Sequence, residues 1–170
     1  YSDDDTSEEY DDSSEEYDFG ADRAMGRYME EKEELPEEMN ASGKLVKTKE
    51  GLWLFELGSS QNTWFRANGE DEWEVKALPE TIRETYTLSY AVSDTGEMAF
   101  ATYEQKEGTQ VYEYVIRLVR QDGSDEELVR YNMPVGDMAY DAEGRLYVLV
   151  CGQVHRLDTR TAEDENLFNV

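Results

Sequence analysis

An all-β chain built from consecutive four-stranded antiparallel units is what this sequence predicts, and three recurrences predict it. A polar cluster ending in glycine and leading into an apolar run appears as "TKEGLWLFEL" (48–57), "SDTGEMAFAT" (93–102) and "DAEGRLYVLV" (141–150). The glycines Gly51, Gly96 and Gly144 are 45 and 48 residues apart, and the three prolines Pro36, Pro79 and Pro134 precede them in matched order. A second turn signal follows each apolar run. "RANGEDE" (66–72) and "RQDGSDE" (120–126) both place a base before a polar–glycine pair and acids, and "LDTRTAEDE" (157–165) holds the same slot in the last copy.

Taken from the N-terminus, the first element is not a folded one. "YSDDDTSEEYDDSSEEYDFG" carries ten carboxylates and no base. Such a segment buries too little apolar surface to offset its ordering entropy, so residues 1–25 are expected to be a disordered, charge-extended tether. Ser13 and Ser14 precede Glu15 and Glu16 as acid-directed phosphorylation sites do, Tyr10 and Tyr17 sit as sulfation sites do, and Asn40-Ala41-Ser42 is formally a glycosylation sequon. A eukaryotic adaptor with a phosphorylated head is the reading those features would serve.

Folded structure is expected over 26–170. "GRYMEEKEELP" (26–36) aligns with "DEWEVKALP" (71–79), with Tyr28 and Trp73 in equivalent places, and reads as an extra outer strand; a short helix or irregular loop is its alternative. The three units then run at about 42–78, 85–133 and 136–170. In the middle one the strands are "YTLSYAVS", "EMAFATYE", "VYEYVIRLVR" and "EELVRYN". Asn-Gly and Asp-Gly favour tight hairpins because those residues tolerate positive φ. The stretch 111–119 alternates Val111, Glu113, Val115, Arg117, Val119 against Tyr112, Tyr114, Ile116, Leu118, so both faces are partly apolar. A sheet packed between two neighbours needs that pattern.

A period of about 40–50 residues with four strands per unit marks the blade of a β-propeller. The stretch Ser93–Phe100 resembles the inner-strand turn of WD40-like and TolB-like propellers, and the resemblance covers 42–170. Three blades are fewer than a closed propeller's four or more. The chain is therefore expected to be an incomplete propeller, with self-association through open blade edges as one way to cover it. A β-sandwich of the same strands is the alternative.

Charge narrows the partners. The net charge is −25, of which −14 falls on residues 1–40 and −11 on the rest. That sign repels phosphate backbones and anionic lipid, so nucleic acid is not an expected partner. No stretch is long and apolar enough for a membrane-spanning helix. Cys151, the single cysteine, lies in "LYVLVCG" and reads as a buried, inert thiol. His155, the single histidine, cannot make a multi-histidine metal site and reads as structural. No nucleophile–base pair or phosphate-binding loop is visible, "DGSDEE" (122–127) lacks the spacing of a calcium loop, and no catalytic residue, metal or cofactor is expected.

Aromatic residues supply the remaining candidates. Trp53, Trp64, Phe65, Trp73, Tyr103, Tyr112, Tyr114 and Tyr147 could line a groove, yet most recur at equivalent positions and read as core. Trp64 and Tyr103, beside strand ends, are the two expected to be exposed for ligand. An acidic tether followed by propeller repeats resembles the mature part of a bacterial surface lipoprotein with an upstream lipid anchor. The resemblance implies an extracellular, non-enzymatic binding or scaffold module for a carbohydrate, peptide or protein. Part of a propeller hydrolase or lyase whose catalytic residues lie elsewhere is the alternative.

Overall fold

The structure, a computed structural model, describes residues 43–56 and 62–169. The first sheet contains β1 (Gly43–Lys47), β2 (Gly51–Glu56), β3 (Thr63–Ala67) and β4 (Glu74–Lys76). A single helical turn, α1 (Glu80–Arg83), leads to the second sheet: β5 (Tyr86–Val92), β6 (Met98–Gln105), β7 (Tyr112–Val119) and β8 (Asp125–Tyr131). The third holds β9 (Val135–Tyr140), β10 (Leu146–Val150), β11 (Gln153–Leu157) and β12 (Asp164–Asn169). Each sheet is an antiparallel meander in sequence order. The described residues are thus nearly all-β, in three consecutive four-stranded blade-like sheets, consistent with the incomplete propeller that the sequence predicts. The tether expected at 1–25 and the outer strand expected at 26–36 lie outside the described residues.

Strand register shows how the three sheets relate. The pairs Lys47↔Leu52, Val92↔Met98 and Tyr140↔Leu146 close the first hairpin of each unit. Counting back three residues from each makes Lys44, Ser89 and Asp137 equivalent positions on the three innermost strands. These residues meet. Ser89 Oγ donates to Asp137 Oδ1 at 2.9 Å, and the Lys44 ammonium bonds the same carboxylate. Lys44 Nζ also donates to the carbonyls of Tyr90 at 3.3 Å and Met138 at 3.2 Å. One ammonium therefore ties β1 to β5 and β9, and equivalent residues converge as they do around a propeller axis.

Two apolar layers separate the sheets. Trp53 and Phe55 pack on Tyr90, Val92, Met98, Phe100 and Val119, with Ile82 of α1 as a plug. The rings of Phe55 and Phe100 meet edge to face at 5.6 Å and 68°. Between the second and third sheets, Ala91, Ala99 and Ala101 let the strands approach Met138, Leu146, Val148 and Leu157 closely. Each buried Leu or Val side chain there contributes roughly 1.5–3 kcal/mol. The helix α1 is not visible as periodicity. Pro79 starts it, its carbonyl accepting from the Ile82 and Arg83 amides, and burial of Ile82 holds it.

The innermost strand of the first sheet differs from those of the other two. Leu45, Tyr90 and Met138 are equivalent by register and face the preceding sheet; their exposures are 56, 0 and 2 %. Leu45 has no described sheet before it.

Two readings are corrected. Gly96 and Gly144 adopt φ of 81° and 78° in five-residue turns closed by Ser93 N–H to Glu97 O and Asp141 N–H to Arg145 O. Gly51 is not their counterpart. Its turn is one residue shorter, with Thr48 N–H bonding Gly51 O, so Gly51 occupies the place of Glu97 and Arg145 and begins a strand. Glycine is needed there because a Cβ would meet the Arg66 carbonyl of β3. Cys151, read as buried, is exposed. With Gly152 it forms a two-residue hairpin, both at positive φ, so the apolar run ends at Val150.

Candidate functional site

The hairpin β6–β7 is the longest in the molecule's described part. Its strands have eight residues each, where β10 and β11 of the third sheet have five. The third sheet has already turned at Cys151–Gly152 where β6 continues through Tyr103. Residues at the far end of β6–β7 on the face toward the third sheet thus outrun their neighbour.

Those residues are tyrosines. Tyr86↔Tyr103, Tyr103↔Tyr114 and Tyr114↔Tyr131 are successive cross-strand pairs, so four rings form one row over β5, β6, β7 and β8. Tyr112, two residues from Tyr114, extends the same face. Tyr103 stacks on Tyr112 with centroids 5.1 Å apart and 21° between planes, and touches Tyr114 at 5.0 Å. Tyr86, Tyr103 and Tyr112 are 54, 40 and 49 % exposed. Tyr131 ends the row in the core.

The opposite face of the hairpin braces it. Arg117 makes a two-pronged pair with Glu104, Nε to Oε1 at 2.6 Å and Nη2 to Oε2 at 2.9 Å. Arg130 holds Glu127 at 2.6 and 2.7 Å and Glu113 at 3.3 Å. Burial pushes the Glu104 carboxyl up, but the bonds from Arg117 and Thr102 outweigh it, and the group lies below its ordinary range. Ion pairs on one side and stacked phenols on the other keep the projecting hairpin stiff.

Trp64 is not part of this surface. It is 4 % exposed, against the expectation of a groove residue. It stands opposite Leu54 and Val75 on the face of the first sheet turned away from the second, and its indole N–H has no partner among the described residues. Position at a strand end does not make it accessible. Tyr103 is the expected site residue that lies at the surface, and it is joined by Tyr86, which is not among the sequence candidates. Their shared parity across a long hairpin is the signal that could group them.

Two further constellations are structural. A cleft of about 480 Å³ opens at the axis beside Lys44, Lys47, Asp94, Asp137 and Tyr140. Its charges are engaged: Lys44 as above, Lys47 with Asn68, and Asp94 with the Lys49 amide at 2.9 Å and ammonium at 3.0 Å. The Lys49 amide and ammonium hold the Asp94 carboxyl below its ordinary range. His155 Nδ1 lies 2.7 Å from Asp164, which also accepts from the Tyr131 hydroxyl at 2.8 Å. Burial, then the neighbouring carboxylate, pushes Tyr131 up. This network stitches β11, β12 and β8 together. Among the described residues, no group of three or more His, Cys, Asp or Glu is placed to hold a metal ion.

No protein-family model matches the chain, and no curated protein does. Among solved structures, it is similar to one described as YCF48 bound to D1 peptide, at 11 % identity and a TM-score of 0.20, over 75 % of this chain and 71 % of that one.

Proposed function

We propose that this chain is a non-enzymatic binding module that docks a protein partner through the tyrosine face of the β6–β7 hairpin. The observation that carries the reading is the exposed, stacked pair Tyr103 and Tyr112, with exposed Tyr86 on the neighbouring strand, on a hairpin that outreaches the adjacent sheet. Tyrosine offers a large rigid contact area at low entropic cost, with a hydroxyl that stays wet, which is why it is enriched where proteins meet. A brace of ion pairs beneath presets the surface before any partner arrives.

The acidic composition of residues 1–25 supports a place at a cell surface, where a solvated spacer would join an anchoring point to the folded body. With the tandem sheets, that composition is the ground on which we propose a surface-anchored protein of the bacterial lipoprotein kind.

The experiment is a binding screen of the purified chain against immobilised peptides and immobilised glycans. Peptide ligands that are lost in the double variant Tyr103→Ala/Tyr112→Ala support the reading. Glycan ligands alone, or ligands indifferent to the double variant, overturn it.

A further inference from the structure

Resting on that reading, we propose that the segment recognised by the tyrosine face is extended and cationic, with lysine or arginine side chains seated on the rings. The face of a phenol ring carries negative electrostatic potential and attracts an ammonium or guanidinium. Tyr86, Tyr103 and Tyr112 are exposed side chains, with Tyr103 and Tyr112 covering one ring face of each other where they stack.

The charges around the row are mostly acidic, the exposed Arg83 of α1 being the exception. Glu84, two residues before Tyr86, and Glu107, in the turn between β6 and β7, are exposed, and their carboxylates make no ion pair or hydrogen bond among the described residues. The cations of the second sheet are already engaged. Lys106 lies 3.6 Å from Glu113, Arg117 is held by Glu104, Arg120 by Glu97 and Glu126, and Arg130 by Glu127 and Glu113. Residues 41–170 carry a net charge of −11, so a cationic segment is steered in and an acidic one is repelled. Geometry sets the shape. Tyr86, Tyr103 and Tyr114 lie on adjacent strands and so span roughly 10 Å, about three residues of extended chain. A helix presents its side chains around a cylinder about 10 Å wide and meets fewer rings of such a row.

The test is fluorescence anisotropy of the full chain with a labelled alternating lysine–proline peptide, which is extended without folding. The same peptide with glutamine for lysine is the comparison. The lysine peptide is expected to bind about tenfold tighter and to weaken as salt is raised. Tyr103→Phe/Tyr112→Phe keeps the ring faces and should bind it as the native chain does. Tyr103→Leu/Tyr112→Leu keeps the apolar area and should lose about tenfold in affinity. Equal binding of the lysine and glutamine peptides, or equal binding by the Phe and Leu variants, overturns the cationic partner and leaves the binding-module reading standing. Binding of neither peptide by the native chain, with only glycans retained in the screen, overturns both.

Discussion

Two cross-strand rows, one in each of the first two sheets, show how differently the same kind of residue is used. In the first sheet Leu45, Leu54, Trp64 and Val75 stand side by side over four strands. The inner pair, Leu54 and Trp64, is buried and the flanking pair is exposed. In the second sheet the row is Tyr86, Tyr103, Tyr114 and Tyr131. There Tyr131 is buried against His155 of the third sheet, their rings edge to face at 5.6 Å, while Tyr86 and Tyr103 face solvent. In the second sheet a tyrosine is thus buried where the third sheet reaches it and exposed where that sheet falls short, while Trp64 is buried on a face with no described sheet against it.

The contrast can be broken by substitution. Trp64→Ala should have the largest effect, a loss of about 3–5 kcal/mol in urea unfolding, because it empties a buried volume. Tyr103→Ala should leave the urea midpoint nearly unchanged, within about 1 kcal/mol, since it removes cross-strand ring contacts at a surface. Comparable losses at both positions would remove the distinction between the rows.

A second comparison concerns the turns that open each unit. Gly51→Ala should cost about 1–3 kcal/mol, because the methyl meets backbone of β3 that cannot step aside. Gly144→Ala should cost about 1 kcal/mol, the penalty of positive φ alone, since nothing surrounds its Cβ position. If thermal unfolding ranks the two the other way, the one-residue difference between the turns is not what sets their tolerance.

The smallest effect sharpens the same comparison by pH. Burial pushes the Asp141 carboxyl up, but the Arg145 amide and guanidinium, the Tyr147 hydroxyl and the Glu143 amide outweigh it, drawing it down to about 2 from 3.8. A carboxyl depressed in the folded state stabilises above its unfolded pKa, and that contribution is lost as pH falls from about 4 through about 2. Thr48 holds the equivalent place in the first sheet and does not titrate. Asp141→Asn should therefore flatten the acid limb of the stability curve, while Thr48→Ser should leave its shape unchanged. A native chain and an Asp141→Asn variant with superimposable acid limbs would show that the turn carries no linked proton.

The strand pattern is legible in the sequence because period-two alternation and glycine-bearing turns are local properties. The stretch 111–119 announces a strand with two apolar faces, and Ser93–Gly96 announces its hairpin. Phase is lost where one residue is missing. Gly51 resembles Gly96 because both follow a polar cluster, and only the pairing of Lys47 with Leu52 shows the shorter loop. Cys151 has the look of a core residue because the run before it is apolar, and the hairpin turns one residue earlier than hydrophobicity implies. Place beside a strand end points to Tyr103, which is exposed, and the same criterion fails for Trp64, which is buried.

Local chemistry alone determined that this chain is β-structured, that its unit repeats, and that its head is acidic, since each follows from residues adjacent in sequence. Tertiary structure decided which rings face water and which equivalent positions meet. Lys44, Ser89 and Asp137 find one another only because three strands converge on an axis, and the tyrosine row is open only because one hairpin is longer than the sheet beside it. Both depend on distances between segments some 45 residues apart, and no local propensity encodes those.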